Sequence, residues 1–395
     1  MERFDAIVVG AGPAGSTAAH RLAAGGARVL LVDKARFPRD KPCGGGLTMR
    51  AVRELPVSVE PVVEHVVDRM AFRLRYGRSF ERGGRNPLIL MTQRRRLDHF
   101  LAEQAAAAGA DFRDGVKVTG LEAGDGEVRA VVDGERVEAQ VLIGADGANG
   151  VTARSLGLGG EPTLGVAFEG NVPYGAADPE RYRGLALIEL GNVPGGYGWV
   201  FPKGDHVNVG VGGWEHVGST LRGRLRELCQ HHGFDSDAVQ SLRGHRLPLR
   251  HPRSALARGR ALVVGDAAGL VDPISGDGMY EAFVSSRLAA EAALDVLAGR
   301  ATDLEPYAQR LSRGLGPMAA ASWDAKIAFD RFPRLTFALA GAPFVWGVVE
   351  RILSGELNSP GDARGPARAP LRAIEALARA VGAPGSGYRV EARAT

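Results

Sequence analysis

The stretch that decides the fold is Ala6-Ile7-Val8-Val9-Gly10-Ala11-Gly12-Pro13-Ala14-Gly15. Ala6–Gly10 reads as a short apolar strand and the Ala-rich Ser16–Ala24 as a helix. The turn between them has the spacing G-x-G-x-x-G. Gly10 permits a tight turn, Gly12 lets a pyrophosphate approach the backbone, and Gly15 allows the helix to pack closely on the strand. The free N–H groups at the helix start, beside Pro13 and Ala14, then face the phosphates. Val29–Val32 is a second strand ending at Asp33, with Lys34 beside it; an acid here accepts hydrogen bonds from a ribose. Strand, turn, helix and acid are in register. They predict a Rossmann-like α/β domain that opens with a right-handed βαβ unit.

Further along, Arg96–Ala108 reads as a helix, and Lys117–Leu121, Val128–Val132 and Arg136–Ala139 as an antiparallel meander. Val141–Gly144 returns to the parallel sheet and delivers the turn Ala145-Asp146-Gly147. Residues 161–257 change character. Short strands at Leu185–Leu190, Gly198–Phe201 and His206–Val211, with a helix at Leu221–His232, predict a second, mainly antiparallel sheet. Arg260–Val264 rejoins the first sheet and Gly278–Ala298 is a long helix. The expected division is a discontinuous nucleotide domain (1–55, 90–160, 258–300), an inserted antiparallel-sheet domain (56–89, 161–257) and a helical C-terminal region (301–395). Within the last, Asn358–Pro370 reads as a linker and the chain from Gly382 as a mobile tail.

Composition narrows the function. Glycine supplies 55 of 395 residues, about twice the usual share, clustered in turns as if backbone approached a ligand. A formal charge of +4 is too slight and dispersed for nucleic-acid binding. Cys43 and Cys229 are the only cysteines, which excludes a disulfide framework and fits a reducing cytoplasm. Cys229, beside His231 and His232, lacks metal-site spacing. The start Met1-Glu2-Arg3-Phe4-Asp5 leaves no room for a signal peptide, and Leu335–Val349, broken by Gly341, Pro343 and Gly347, falls short of the ~20 residues a membrane span needs.

The choice of dinucleotide rests on Ala261-Leu-Val-Val-Gly265-Asp266-Ala-Ala-Gly269, an apolar strand ending in Gly-Asp, and on Pro273-Ile-Ser-Gly276-Asp277-Gly278-Met279, which enters the long helix. Asp266 is placed to hold a ribityl hydroxyl, or to cap the helix that follows. Amides near Gly276, Gly278 and Met279, at a helix N-terminus, suit the negative charge of a reduced flavin. With the N-terminal glycines, these residues favour FAD.

Together with Ile143-Gly-Ala-Asp146-Gly147 through Arg154, these motifs resemble the FAD-dependent hydroxylase-like superfamily. Lys41-Pro42-Cys43-Gly44-Gly45-Gly46-Leu47 resembles the Pro-Cys-Gly-Gly signature of the geranylgeranyl reductase family within it. Pro194-Gly-Gly-Tyr197-Gly-Trp199-Val-Phe201-Pro202-Lys203 matches that family's P-x-x-Y-x-W-x-F-P-K pattern. The resemblance spans about residues 4–300. It implies flavin contacts from Gly44, Gly45, Gly46 and Asp146, from an arginine in Gln93-Arg94-Arg95-Arg96, taken as Arg94, and adenine contacts from the backbone of Val118. It also implies reduction of isolated C=C bonds in a polyprenyl lipid, diphosphate or quinone. No second nucleotide fingerprint is present, so the reductant is NAD(P)H bound transiently or a ferredoxin.

An isolated alkene has no carbonyl to polarise it, so hydride delivery calls for a proton donor and a dry channel. Cys43 is the candidate donor; its plain alternative is to shape the turn. Tyr197 and Trp199 fall on one face of a strand and Phe201 continues it, as a channel wall or an aromatic core cluster. Lys203 either meets a phosphate head group or ends the strand. The apolar segment Phe332–Leu353, with Arg331, Arg334 and Arg351 near its ends, is read as the far end of a lipid channel, a membrane-docking surface at the inner face of the membrane, or a core helix pair. Two rivals stand beside the reductase: a flavin monooxygenase or halogenase, and a non-enzymatic prenyl-binding escort protein.

Overall fold

A computed structural model describes residues 2–124, 126–160, 162–250 and 254–382. Its first sheet has Glu2–Val9 at the centre, paired in parallel with Val29–Asp33 on one side and Glu135–Gly144 on the other. Asp111–Asp114 and Ala261–Val263 extend the parallel part outward. Every residue of Val29–Asp33 is buried, as expected of a parallel strand covered on both faces. Helix Pro13–Ala24 packs on helix Met279–Leu297, and both lie against the sheet.

The predicted meander strand Arg136–Ala139 and parallel strand Val141–Gly144 are one continuous strand, Glu135–Gly144. No Gly or Pro interrupts Ala139-Gln140-Val141, so nothing ends the extended run. Its first half pairs with Val128–Val132 and its second half with Ala261–Val263.

The second sheet has seven strands. Thr163–Pro173, Leu185–Leu190, Tyr197–Pro202, His206–Trp214 and Gln240–Leu249 are joined by Arg69–Leu74 and Ser79–Gly83 from earlier in the chain. All its pairings are antiparallel except Arg69–Leu74 with Leu185–Leu190. Helix Leu221–His232 covers one face through Leu225, Leu228 and Cys229, so Cys229 is a core side chain. A small three-stranded sheet, Gly46–Thr48, His65–Val67 and Ile89–Met91, lies outside both large sheets.

The 27-residue helix Glu305–Arg331 straps the two large sheets together. Tyr307 donates to the Val263 carbonyl (3.0 Å), Trp323 Nε1 to the Arg250 carbonyl (2.9 Å), and Asp330 accepts the Gly195 N–H (2.8 Å). The expected linker at 358–370 joins helix Pro343–Leu353 to the next helix as a packed connection, and its last three residues already belong to that helix. Ser359 and Asp362 form a capping box, and Ala363 and Ala367 are buried against Val348 and Ile352 before helix Arg368–Ala380 begins. The tail expected from Gly382 falls, from 383 onward, outside the described residues.

Candidate functional site

Between the two large sheets runs a cavity of about 730 Å³. Its wall brings together Gly10, Gly12, Pro13, Ala14, Asp33, Lys34, Arg94, Val118, Asp146, Asp266, Gly276, Gly278 and Met279 from the first sheet's loops and helix ends. Cys43 and Gly44–Gly46 line its middle, and Tyr197, Trp199 and Phe201 line the side formed by the second sheet. Of the candidate cofactor, catalytic and substrate residues read from the sequence, only Gly15 and Lys203 stand outside the wall.

At one end the glycine turn has the geometry its spacing requires. Gly10 has φ +101°, and any Cβ there or at Gly15 would overlap backbone, of Ala145 and of Gly10 respectively. Gly12 differs: a Cβ would meet nothing nearer than Arg39 Nη2 at 3.4 Å and Arg94 Nη2 at 3.9 Å. Two guanidinium groups therefore flank an open approach to the backbone. Arg94 forks onto Asp98 (Nε–Oδ1 2.6 Å, Nη2–Oδ2 2.8 Å), while Arg39 Nη1 reaches Asp98 Oδ2 at 2.7 Å. Arg94 is buried, whereas Arg95 and Arg96 are exposed, so the helix register Arg94–Ala107 selects the first of the three arginines.

Asp33 accepts the N–H groups of Ala11 and Ala35, both at 2.9 Å, and so ties the glycine turn to the second strand. Asp146 accepts from Val151 N, Thr152 N and Thr152 Oγ1, leaving Oδ1 without a protein partner. Asp266 pairs with Lys41 at 2.8 Å, and His245 lies 3.8 Å away. Burial would raise the Asp266 carboxyl, but Lys41 and His245 outweigh it and hold the group well below the usual carboxylate range.

A flavin dinucleotide fits this wall. Thr48 Oγ1, Arg50 Nε and Nη1, and Asp146 Oδ1 are buried polar atoms with no protein partner, and their residues all line the cavity. Unmade hydrogen bonds of this kind are costly, so a ligand with several polar edges belongs against them. Arg50 is 7% exposed and stacks on Tyr280, 4.3 Å from the ring centroid.

The middle of the cavity is built on the turn Cys43–Gly46. Cys43 N–H donates to Glu169 Oε1 (2.7 Å), and Gly45 N–H donates to Cys43 Sγ (3.3 Å). Burial raises the Cys43 thiol, opposed by Arg94, and keeps it protonated. Burial also pushes the Glu169 carboxyl up to about 7, against the lowering effect of the Cys43 N–H and Lys203.

Lys203 is not a head-group ligand in this structure. It is 2% exposed, and its Nζ donates to the carbonyls of Gly44 and of Thr92, the latter at 2.9 Å. The cation staples the Cys43–Gly46 turn from behind, and burial pushes it down to about 8 despite Cys43 and Glu169 nearby.

Tyr197, Trp199 and Phe201 line one side, with ring centroids 6.0 and 6.3 Å apart along the series. Trp199 Nε1 donates to Asn208 Oδ1 at 2.7 Å, and Tyr197 OH donates to the Ser275 carbonyl. Met70, Ile89, Ile188, Leu247 and Leu249 make the adjoining wall apolar, and the C-terminal region adds Lys326 and Leu353. Lys326 donates to the Gly195 carbonyl and lies 4.3 Å from the Trp214 ring centroid.

Sequence reasoning missed Arg39, Thr48, Arg50, Glu169 and Lys326. Only Glu169 carried a readable signal, an acid inside the otherwise apolar strand Gly165-Val-Ala-Phe-Glu169.

Comparison with known proteins agrees with this geometry. Residues 3–184 match the FAD binding domain family. The chain is 34% identical to the geranylgeranyl diphosphate reductase of Rhodobacter capsulatus over 77% of its length and 78% of that protein's. It is 36% identical to the menaquinone reductase of Mycolicibacterium smegmatis over 73% of this chain and 76% of that one. A geranylgeranyl bacteriochlorophyll reductase-like protein from Thermoplasma acidophilum superimposes with a TM-score of 0.77 at 25% identity, covering 86% of this chain and 91% of that one. A flavin-dependent brominase gives a TM-score of 0.73 at 20% identity, covering 96% and 100%; it shares the fold alone.

Proposed function

Because this chain belongs to the geranylgeranyl reductase family of FAD-dependent oxidoreductases, we propose that its cavity takes a polyprenyl chain and that the protein saturates isolated C=C bonds in it. One observation carries the reading. Gly44 packs directly on the aromatic wall, where a Cβ would stand 2.9 Å from Phe201 and 3.7 Å from Trp199 Nε1. The Cys43 turn, the dinucleotide wall and the apolar channel are thus one continuous surface.

Bound and reduced, FAD supplies the hydride. The chain's own residues do the rest. Gly12 exposes backbone to the pyrophosphate, and Arg39 and Arg94, fixed through Asp98, offset its charge. Tyr197, Trp199 and Phe201 present hydrocarbon to the prenyl chain and exclude water. Cys43, held protonated by burial, offers its Sγ proton to the alkene carbon that does not take the hydride. The exposed Leu335 and Phe344, with exposed Arg331 and Arg334 near Leu335 in the chain, favour peripheral contact with a lipid surface, from which a long-chain substrate would be drawn.

The test is anaerobic. Dithionite-reduced holoprotein is mixed separately with geranylgeranyl diphosphate, a geranylgeranyl lipid and menaquinone, and flavin reoxidation is followed with product mass. Reoxidation with a gain of two hydrogens per bond supports the proposal and names the head group. Flavin that stays reduced with all three overturns it.

A further inference from the structure

Resting on the reductase reading, we infer that Glu169 is the proton reservoir of the site and returns a proton to Cys43 Sγ after each alkene is reduced. Glu169 stands on strand Thr163–Pro173, is 9% exposed and lines the cavity. Its Oε1 receives the Cys43 N–H at 2.7 Å, which fixes the carboxyl at the residue that carries the thiol.

Among the described residues no cation lies within salt-bridge distance of this carboxyl. Arg243, opposite Glu169 on the neighbouring strand, is engaged by Asp40 at 2.7 Å. Lys203, at the end of Tyr197–Pro202, is committed to the Gly44 and Thr92 carbonyls. On the thiol side, Arg94 is forked onto Asp98, and the Asp277 carboxylate accepts the Met279 N–H at 2.9 Å. A carboxyl so placed, pushed up to about 7 by burial against the lowering effect of the Cys43 N–H and Lys203, takes up and releases a proton near neutral pH.

The chemistry requires such a group. For each bond, bound reduced FAD would supply a hydride with its electron pair to one alkene carbon, and the Cys43 S–H proton would pass to the other. Two C–H bonds form, the π bond and the S–H bond break, the flavin is oxidised and the alkene reduced. That leaves a thiolate in the cavity, where desolvation disfavours its charge. Glu169 protonates it, and the resulting carboxylate regains its proton from solvent. Glu169 acts through Cys43, so it is a positioning residue, and its signature is a pH dependence.

Two readouts on the FAD-loaded protein test it. The first is the anaerobic rate of saturation of geranylgeranyl diphosphate, read by product mass over repeated bond reductions with excess dithionite re-reducing the flavin, from pH 5.5 to 9. The wild type is expected to slow above an inflection near 7; Glu169→Gln is expected to lose that inflection and run ~10²-fold slower. Glu169→Asp is expected to restore an inflection. The second is alkylation of Cys43 by iodoacetamide followed by mass spectrometry, with the fully buried Cys229 as internal reference. Removing the neighbouring negative charge should lower the pH midpoint of alkylation in Glu169→Gln. An unchanged midpoint, or a Glu169→Gln variant that keeps the wild-type rate and inflection, overturns the relay. If no prenyl compound reoxidises the wild type while the midpoint still moves, the reductase reading falls and takes the relay's role with it, and only the proton coupling between the two residues is supported.

Discussion

Trp199 and Gly210 face each other across two antiparallel strands, and the indole occupies the space that a side chain at 210 would fill. The ring is fixed from its other end by Asn208, through Nε1–H···Oδ1 at 2.7 Å. Gly210→Ala is therefore expected to tilt the indole into the channel and cost about 1–3 kcal/mol through overpacking. Flavin content after purification should stay at the wild-type level, while reoxidation by a prenyl substrate falls at least ~10-fold. Equal loss of flavin would show that Trp199 supports the whole cavity.

The two guanidinium groups beside Gly12 share one carboxylate. Asp98 is fully buried and accepts from both Arg39 and Arg94. Asp98→Ala leaves Arg94 a buried charge without a counterion, a loss of about 3–5 kcal/mol in such cases. Urea unfolding should read that destabilisation, together with loss of FAD. Arg39→Met keeps the Arg94–Asp98 pair, so it should weaken FAD binding, measured by fluorescence titration, roughly 10-fold with little change in unfolding midpoint. Wild-type FAD affinity in Arg39→Met would remove Arg39 from the cofactor site.

Glu169 also ties stability to pH. Its carboxyl is pushed up to about 7 in the folded chain, from an ordinary value of 4.5. Below 4.5 both folded and unfolded chains carry the proton. Between 4.5 and 7 only the folded chain holds it, so stability falls as pH rises, and above 7 the loss is complete. The span corresponds to about 3 kcal/mol. Glu169→Gln still accepts the Cys43 N–H but cannot ionise. Relative to wild type, it should therefore be more stable at pH 8 than at pH 5, by urea unfolding at both. A difference that does not vary with pH would mean Glu169 titrates normally.

The parts of this site that sequence made legible are those where backbone geometry leaves few residue choices. Gly10, Gly12 and Gly15 are required by a tight turn, an open approach and a close packing contact, and each requirement is local. The aromatic series Tyr197, Trp199 and Phe201 follows from the period of a strand. Lys203 was ambiguous because its role depends on two carbonyls, Gly44 and Thr92, more than 100 residues away in the chain. Arg39 was invisible for the same reason, since only folding brings it to Asp98. The break expected at Gln140 failed, and the packing of the linker at 358–370 went unread, for a different reason. A strand serving two partners has no local mark, and Ala363 and Ala367 become ordered only by packing on Val348 and Ile352.

The C-terminal helix pair gives the last prediction. Pro333–Ala340 and Pro343–Leu353 meet at 79°, and among the described residues no single helix is long and apolar enough to cross a membrane. Inward, Phe337 packs on Phe80 and Trp346 Nε1 donates to the Gly83 carbonyl at 3.0 Å, which pins the pair to the second sheet. Outward, Leu335 and Phe344 are 49% and 45% exposed, with Arg331 and Arg334 exposed near Leu335 in the chain. Burying one such apolar side chain contributes about 1.5–3 kcal/mol, and a cation near an anionic surface about 1 kcal/mol. Co-sedimentation with phosphatidylglycerol–phosphatidylcholine vesicles should therefore fall more than ~10-fold in Leu335→Glu/Phe344→Glu, with flavin content unchanged because neither side chain lines the cavity. Sedimentation equal to wild type, or no sedimentation of the wild type itself, would rule this face out as the lipid contact.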